Sequence, residues 1–206
     1  GATPFKDQQL ATKATVAERL DQAGAVLVAK LSLGALAMGD KWFGGMTRNP
    51  WNTEQGSSGS SAGSASAVAA GLVGFALGSE TLGSIVSPCR RCGTSGLRPT
   101  FGRVSRHGCM TLAWSMDRIG RIFRSIEDVA IVFGTIHGHD VLDGTAVNQP
   151  FAWPMGGQLS KLRVGFIEDD QVPTEERKEL QNLRELGVQL VPFRVPDSLP
   201  VWAMTI

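Results

Sequence analysis

The sequence predicts an α/β fold, because short apolar runs that are typical of buried strands alternate with segments of helical periodicity. The chain has 206 residues, of which 42% are hydrophobic, and this suffices for one domain with a real core. No internal repeat is present in the sequence. The predicted strands are residues 25–29, 73–77, 162–167 and 188–191.

The first predicted elements are a helix, a strand and a short helix. Thr15 is the expected N-cap of the first helix, Glu18 completes a capping box, and Gly24 ends the helix. Residues 25–29 are apolar without alternation, which predicts a buried strand. Residues 33–38 are expected to form a short helix.

Three further helices are predicted. Residues 62–70 are rich in alanine, follow serines that can cap a helix, and are closed by Gly71. Residues 126–136 have helical periodicity, with acidic residues near the start that suit the helix dipole. A charged helix is expected over residues 174–186, between the last two strands.

Charge and hydropathy exclude several classes of protein. The formal net charge is +1, so nothing indicates the concentrated basic face that nucleic acid or an anionic membrane surface requires. The N-terminus lacks a signal-peptide pattern, and the most apolar window, residues 68–77, is far shorter than a membrane-spanning helix. Neither a nucleic acid nor a membrane is therefore expected as a partner.

The three cysteines are Cys89, Cys92 and Cys109. An odd number in a chain of this length indicates reduced thiols and a cytoplasmic protein. Cys89 and Cys92 have CxxC spacing, but a structural zinc site needs four ligands, and His107 is a poor substitute for a second pair. Two incidental thiols are favoured over a metal or redox role, and no metal or cofactor is expected.

Two serines on glycine-flanked turns carry the main chemical signal. Ser60 lies in the segment Gly-Ser-Ser-Ala-Gly-Ser, and Ser84 in the segment Glu-Thr-Leu-Gly-Ser-Ile. One helix and one strand fit between them, so the chain can return to the same edge of a sheet. This arrangement suggests a nucleophile and a proton-relay partner. The backbone N–H groups of Thr81, Leu82 and Gly83 can converge on one point, as an oxyanion hole requires.

Two other interpretations of the first serine segment remain open. Residues 59–63 also match the G-x-S-x-G nucleophile elbow, with Ser61 as the nucleophile, and that fold needs a following acid and histidine. His107, His137 and His139 follow, although most chains satisfy so loose a test. Alternatively, residues 57–66 are simply a flexible loop and a helix cap.

An ordered set of sequence blocks resembles the amidase signature family, whose members use a Ser-Ser-Lys triad. The resemblance is strong over residues 14–138 and looser over residues 140–206, so the chain is expected to be one partial amidase domain. The implied fold has a mixed β-sheet core covered by helices on both faces. The blocks are residues 14–16, 47–51, 59–64, 80–85, 93–105, 115–117 and 124–128.

The resemblance implies roles for the two serines. It places the acyl-forming nucleophile at Ser84 and the relay serine, which the family joins by an unusual cis peptide bond, at Ser60. Ser60 would pass a proton between Ser84 and a neutral lysine. The implied reaction is hydrolysis of a small-molecule carboxamide through an acyl-serine intermediate, with release of ammonia or an amine.

The family's lysine has no clear counterpart in the chain. Lys6 precedes an acidic residue but follows no strand, and Lys30 follows a predicted strand but matches a different family block. The catalytic lysine is therefore expected upstream of Gly1, and the chain is interpreted as an internal fragment. Without the lysine, the polypeptide could also be an inactive remnant or a structural component of a larger assembly.

Three departures from the family pattern bear on substrate and structure. The family often has glycine at Leu82, and often an arginine at Val86 that contacts acidic or polar substrates. Val86 thus favours a neutral carboxamide over glutamine. The runner-up function is a glutamine-hydrolysing aminoacyl-tRNA amidotransferase A subunit, which would need partner chains. Arg121 stands where proline is usual, and the sequence offers no reason for it.

Overall fold

The computed structural model describes residues 1–154, 156–168, 174 and 177–194. The chain divides into two compact units, Gly1–Trp153 and Pro154–Ile206. In the described part, no helix has both the length and the apolar character to cross a membrane. The helices are α1 (Thr15–Gln22), α2 (Ala62–Ala69), α3 (Val86–Cys92), α4 (Ile126–Ile136) and α5 (Lys178–Glu185).

Nine strands are assigned among the described residues, and seven of them belong to the first unit. Two short antiparallel hairpins precede the serine segments: β1 with β2, and β3 with β4. The strands are β1 (Lys41–Trp42), β2 (Gly45–Met46), β3 (Arg48–Asn49), β4 (Asn52–Gly56), β5 (Phe75–Glu80), β6 (Ser95–Leu97), β7 (Arg118–Phe123), β8 (Arg163–Ile167) and β9 (Gln189–Phe193).

The centre of the first unit is a three-stranded antiparallel sheet with the order β5–β7–β6. Gly78 of β5 lies opposite Gly120 of β7. A Cβ atom at Gly120 would lie 2.1 Å from the carbonyl oxygen of Leu97 and 2.6 Å from Ile85 Cδ1. Only glycine therefore allows β6 and α3 to approach the central strand this closely.

Helices cover both faces of this sheet, as the resemblance described above implies. On one face, α2 and α3 pack on β5 and β7 in an apolar cluster that includes Val68, Ile85 and Ile122. On the other face, Val16 of α1 and Phe133 and Ile136 of α4 belong to a second cluster. Each face buries a separate apolar layer, which is the arrangement expected of a layered α/β domain.

The N-terminus of α1 differs from the prediction. Ala14, not Thr15, is the N-cap, and Thr15 is the first helical residue. The Thr15 hydroxyl donates instead to Asp140 Oδ2 at 2.6 Å, so it cannot serve as a cap. Arg19, one turn further on, donates to the carbonyl oxygens of Ile136 and His137 and thereby satisfies the C-terminal end of α4.

The predicted buried strand over residues 25–29 is wrong. This segment has no regular secondary structure, and Val26, Leu27 and Val28 are 82%, 74% and 70% exposed. An apolar run forms a buried strand only where a neighbouring strand pairs with it and another layer covers it. On the exposed side of residues 25–29, the described part of the chain provides neither. The helix expected over residues 33–38 is reduced to a 3₁₀ turn, Ala35–Ala37.

The predicted elements after residue 60 are close to the observed ones. Helix α4 has the predicted bounds, α2 ends one residue early, and the predicted strand 73–77 is β5, shifted towards Glu80. In the second unit, β8 and β9 are parallel neighbours joined through α5, as a βαβ unit requires. The helix expected over 174–186 is α5, which is shorter, begins at Lys178 and has Arg177 as its N-cap. Residues 175, 176 and 195–206 lie outside the described part.

Candidate active site

The two serine segments meet in the structure. The backbone N–H of Ser61 donates to the carbonyl oxygen of Ser84 at 3.1 Å. The Gly59–Ser60 peptide bond is cis, and the carbonyl oxygen of Ser60 accepts from the N–H of Gly34 at 3.0 Å. As the spacing predicts, α2 and β5 lie between the serines and return the chain to the same place.

Ser61 is committed to holding the first segment in place. Its hydroxyl donates to the carbonyl oxygen of Ser79 and accepts from the N–H of Ser79, both at 3.1 Å. The residue is fully buried. A hydroxyl that is buried and bonded on both sides is poorly placed to attack a substrate, which argues against the nucleophile elbow at Ser61.

The residues before Ser60 are fixed by Asp40, which the sequence analysis did not single out. Asp40 Oδ2 accepts from the N–H of Ser58 at 2.9 Å. A Cβ atom at Gly59 would lie 1.9 Å from the carbonyl oxygen of Gly39, so this position requires glycine. The Ser58 hydroxyl also lies 2.8 Å from the Ser87 hydroxyl, which is a second link between the two segments.

The turn that carries Ser84 is held by Glu80, another residue that the sequence analysis missed. Glu80 is 3% exposed, and its Oε2 accepts from the backbone N–H of Ile85 at 2.7 Å and of Val86 at 2.9 Å. Its Oε1 pairs with Arg98 Nε at 2.7 Å. The Glu80 carboxylate therefore joins the end of β5, before Ser84, to the start of α3, after Ser84.

The residues expected to form the oxyanion hole lie in the turn between Glu80 and Ser84. Gly83 has a φ of 93°, a conformation that favours glycine, and the Leu82 side chain is 66% exposed. Within the described part of the chain, no acceptor is recorded for the N–H of Leu82 or Gly83. The Thr81 hydroxyl donates to Asp117, so the start of this turn is fixed to the loop before β7.

Two cavities lie on the β5 side of the first unit, and Ser60 and Ser84 are not among their described lining residues. The smaller, of about 320 Å³, is lined by Ser79, Arg106 and Asp117 among others. The larger, of about 680 Å³, lies between residues 25–31 and residues 72–77 and is mainly apolar. The serines are thus placed on the two turns rather than inside either cavity.

Lys6 and Lys30, the two lysines considered in the sequence analysis, are not among the described partners of the serine segments. Lys6 pairs with Asp7 at 3.9 Å, and Lys30 is exposed at the end of the apolar segment. Among the described residues, no lysine is recorded as bonded to Ser60 or Ser84. A base for Ser84 is therefore not identified in this part of the chain.

At the cysteines, burial outweighs the positive charges nearby, which are Arg91 beside Cys92 and Arg106 beside Cys109. All three are free thiols, and Cys89 and Cys92 are buried. Burial raises the pKa of Cys89, and it raises the pKa values of Cys92 and Cys109 to about 11. Within the described residues, no three His, Cys, Asp or Glu side chains are grouped in a way that could hold a metal ion. The thiols are thus largely protonated at neutral pH.

Comparison with known proteins identifies one family. The sequence profile described as Amidase matches residues 1–206. The chain is 41% identical over 198 residues to the A subunit of glutamyl-tRNA(Gln) amidotransferase from Chloroflexus aggregans, covering 90% of this chain and 41% of the relative. It is 45% identical over 161 residues to the corresponding protein of Deinococcus radiodurans, covering 76% of this chain and 33% of the relative.

Solved structures show the same relationship. The A subunit of the glutamyl-tRNA(Gln) amidotransferase from Thermotoga maritima superposes with a TM-score of 0.85 at 35% identity, covering 94% of this chain and 46% of that one. The native peptide amidase of Stenotrophomonas maltophilia superposes with a TM-score of 0.82 at 31% identity, covering 98% and 45%. The chain thus spans less than half the length of the relatives that it matches.

Proposed function

The chain belongs to the amidase family, and we propose that it carries the nucleophile of a serine-dependent amidase, which hydrolyses the C–N bond of a carboxamide. The observation that carries this proposal is the meeting of two glycine-flanked serines, joined by the hydrogen bond from the Ser61 N–H to the Ser84 carbonyl oxygen. Ser84 is partly exposed on a fixed turn, whereas Ser60, which precedes Ser61, is buried.

In the proposed reaction, Ser84 Oγ attacks the amide carbonyl carbon and loses its proton to Ser60, which passes the proton to a neutral lysine amine. The backbone N–H groups of Leu82 and Gly83, with Thr81, hold the oxyanion that forms. The C–N bond then breaks, and the leaving nitrogen takes a proton and departs. Water attacks the acyl-serine, the acid leaves, and Ser84 regains its proton.

Glu80 is assigned a positioning role. It accepts hydrogen bonds from the two amides that follow Ser84, so it fixes the direction in which the serine turn points. A displacement of about 1 Å at a nucleophile can lower a rate by about 10²-fold, and this is the size of effect that the Glu80 contacts prevent.

The nucleophile is tested with a fluorophosphonate probe and peptide mass spectrometry. We propose that the base lies outside residues 1–206, so the experiment uses a longer polypeptide that includes the in-frame coding sequence upstream of Gly1. Labelling is expected at Ser84 and is lost in Ser84→Ala, while the control Ser160→Ala, at an exposed serine of the second unit, keeps it. Labelling at Ser61 would overturn the assignment and support the nucleophile elbow.

The requirement for an external base has its own test. A serine hydroxyl is a weak nucleophile without a base, so the 206-residue chain alone is expected to hydrolyse amides no faster than background. The longer polypeptide is expected to be active. Steady turnover by the 206-residue chain, lost on Lys30→Ala, would show that the lysine is within the chain. Inactivity of both forms would support the inactive remnant instead.

The substrate is proposed to be a neutral carboxamide. Val86 begins α3 two residues after Ser84 and is 55% exposed, and it brings no positive charge to the turn. A substrate carboxylate beside it would be desolvated without a partner, which is costly. We expect a higher kcat/KM for a neutral alkyl or aryl amide than for glutamine. Val86→Arg is expected to reduce this preference for the neutral amide.

A second candidate function is that of the A subunit of a glutamyl-tRNA(Gln) amidotransferase, and the 41–45% identity to proteins of that name supports it. Such a protein would act on glutamine and would need partner chains. A preference for glutamine in the kcat/KM comparison, together with activity that appears only with partner chains, would favour this candidate. In either case the free thiols support a cytoplasmic location.

A further inference from the structure

Arg121 is a fully buried cation whose side chain has no hydrogen-bond partner among the residues that the structure describes. It lies in the middle strand β7, between Leu77 of β5 and Leu97 of β6. Its exposed fraction is 0%, and its Nε, Nη1 and Nη2 atoms all lack an acceptor in the described structure. Buried guanidinium groups normally bind carboxylates or carbonyl oxygens, so this side chain has an unmet requirement for an acceptor.

The surroundings of Arg121 do not neutralise its charge. The guanidinium lies 4.4 Å from the centre of the Phe133 ring, and this contact is the only partner that is recorded for it among the described residues. Burial lowers the pKa of Arg121 to about 9, so the group is still protonated at neutral pH. A positive charge is therefore held in an apolar layer with an aromatic face beside it and no anion.

Two more buried polar atoms beside the same ring lack partners among the described residues. His137 stacks on Phe133 with ring centres 5.2 Å apart, and its Nδ1 is buried without a partner. The Arg103 guanidinium lies 5.2 Å from the Phe133 ring centre, and its Nε is also unpartnered. Phe151 packs edge-on against Phe133 at 4.8 Å. We refer to Arg103, Arg121, Phe133, His137 and Phe151 as the Phe133 cluster.

The cluster has donors and no anion. Arg103 donates its two Nη groups to Gln149 and to the carbonyl oxygen of Pro150, which are neutral acceptors. None of the ion pairs recorded for residues 1–154 includes a member of the cluster. Burial and the charges of Arg103, Arg19 and Arg121 lower the pKa of His137. The local potential is therefore positive and suits a negative ligand.

We propose that the Phe133 cluster is a binding site for a small carboxylate anion. The planar fork of Arg121 matches the two carboxylate oxygens. The buried Nε of Arg103 supplies a further donor, as does the buried Nδ1 of His137 in the tautomer that carries the proton there. The aromatic rings of Phe133 and Phe151 favour a carboxylate with a short apolar or aromatic group. Phe151 is only partly buried, and its ring shifts to admit the ligand and then packs against it.

This site is separate from the serine segments. Ile85, next to Ser84, packs in the α2–α3 cluster on the opposite face of the sheet from Phe133. The proposal therefore does not rest on amidase activity, and a binding measurement tests it without any turnover. Benzoate is a suitable probe because it combines a carboxylate with an aromatic ring.

The experiment is a titration of the 206-residue chain with sodium benzoate at constant ionic strength. Binding is measured by isothermal titration calorimetry and by the thermal unfolding midpoint, Tm. We expect saturable heat and a Tm that rises with benzoate as its concentration increases past the Kd. Arg121→Met is expected to weaken binding at least tenfold. Arg121→Lys, which keeps the charge but loses the fork, is expected to weaken it less.

Arg90→Met is the matched control, since Arg90 is exposed on α3, and its Kd is expected to equal that of the unmodified chain. Acetate and phosphate provide two comparison arms: weaker binding of acetate supports the aromatic contact, and equal binding of phosphate and benzoate would contradict a carboxylate site. Absence of saturable binding would overturn the proposal. So would equal binding by the unmodified chain and by folded Arg121→Met and Arg121→Lys.

Discussion

Each face of the central sheet has a buried charged side chain, and the two differ in their hydrogen-bond partners. On the α2–α3 side, the Glu80 carboxylate is 3% exposed and accepts from two backbone N–H groups and from Arg98. On the α1–α4 side, Arg121 is fully buried and has no hydrogen-bond partner among the described residues. The comparison shows that a buried charge does not necessarily stabilise the fold. The Glu80 carboxylate fixes a turn through its hydrogen bonds, whereas the Arg121 guanidinium requires an acceptor.

The largest effect is expected from removing the partnered charge. Glu80→Ala leaves two backbone amides beside Ser84 without their acceptor, at a cost of about 1–3 kcal/mol for each amide, whereas the Arg98 side chain, which is 34% exposed, can be hydrated. Urea unfolding measures the loss, with Glu54→Ala on β4 as the exposed control. A loss within about 0.5 kcal/mol, the size typical of surface substitutions, would show that Glu80 does not organise the turn.

The opposite sign is expected for the unpartnered charge. In buffer without carboxylates, Arg121→Met replaces a buried cation by an apolar side chain of similar length, and such replacements stabilise by up to about 1–4 kcal/mol. The control is Arg124→Met, which removes hydrogen bonds to the carbonyl oxygens of Val68 and Val73 and is expected to destabilise. If Arg121→Met destabilises the chain, the two faces do not differ as described.

Asp140 sharpens the comparison, because it is a partnered carboxylate on the α1–α4 side. Burial opposes its ionisation, but hydrogen bonds from Ser105, Thr15 and the Leu142 N–H and the charge of Arg19 outweigh burial and lower its pKa to about 2. The folded state therefore favours the carboxylate, and this contribution is complete above the ordinary value of 3.8. It is lost as the pH falls from about 4 to about 2.

The contribution of the Asp140 carboxylate to the free energy of unfolding is expected to be about 2 kcal/mol at most. Urea unfolding at a series of pH values measures it, and Asp140→Asn is expected to flatten the dependence between about pH 4 and pH 2. Asp7→Asn, at a largely exposed side chain, serves as the control and is expected to keep the dependence. An equal slope in Asp140→Asn would contradict the assignment.

The smallest effect on stability is expected at residues 26–28. Here the situation is the reverse of that at Arg121, because apolar side chains are exposed to water. Leu27→Lys is expected to change the unfolding free energy by less than about 0.5 kcal/mol. It is also expected to reduce self-association, because an exposed apolar segment promotes it. Sedimentation velocity compares Leu27→Lys with the control Leu142→Lys, at another exposed leucine; equal association of both variants would rule out this segment as the contact.

Elements with complete local signals were predictable from the sequence. Helix α4 has its predicted bounds because its cap is local: the Ser125 hydroxyl accepts from the Asp128 N–H three residues later. The strand at residues 25–29 failed because its burial depends on neighbouring chain rather than on its own apolar run. Thr15 failed as a cap because its hydroxyl bonds to Asp140, a partner remote in the sequence.

The same distinction applies to the candidate site. The glycines around Ser60 and Ser84 indicated two tight turns, and the lengths of α2 and β5 indicated that the turns would meet. Glu80 and Asp40 were missed because each accepts hydrogen bonds from backbone amides, and no sequence pattern was used to anticipate them. An acidic residue directly before a glycine–serine turn is the signal that could have identified Glu80.

The Thr15–Asp140 hydrogen bond also bears on the order of folding. It joins positions that are 125 residues apart in the chain, and the entropy of closing so long a loop must be overcome before the contact forms. Contacts of this range tend to be made late, after the local α2–β5 segment has formed. Substitution of Asp140 is then expected to accelerate unfolding while leaving the folding rate nearly unchanged, so this buried carboxylate slows the release of α1 from the folded unit.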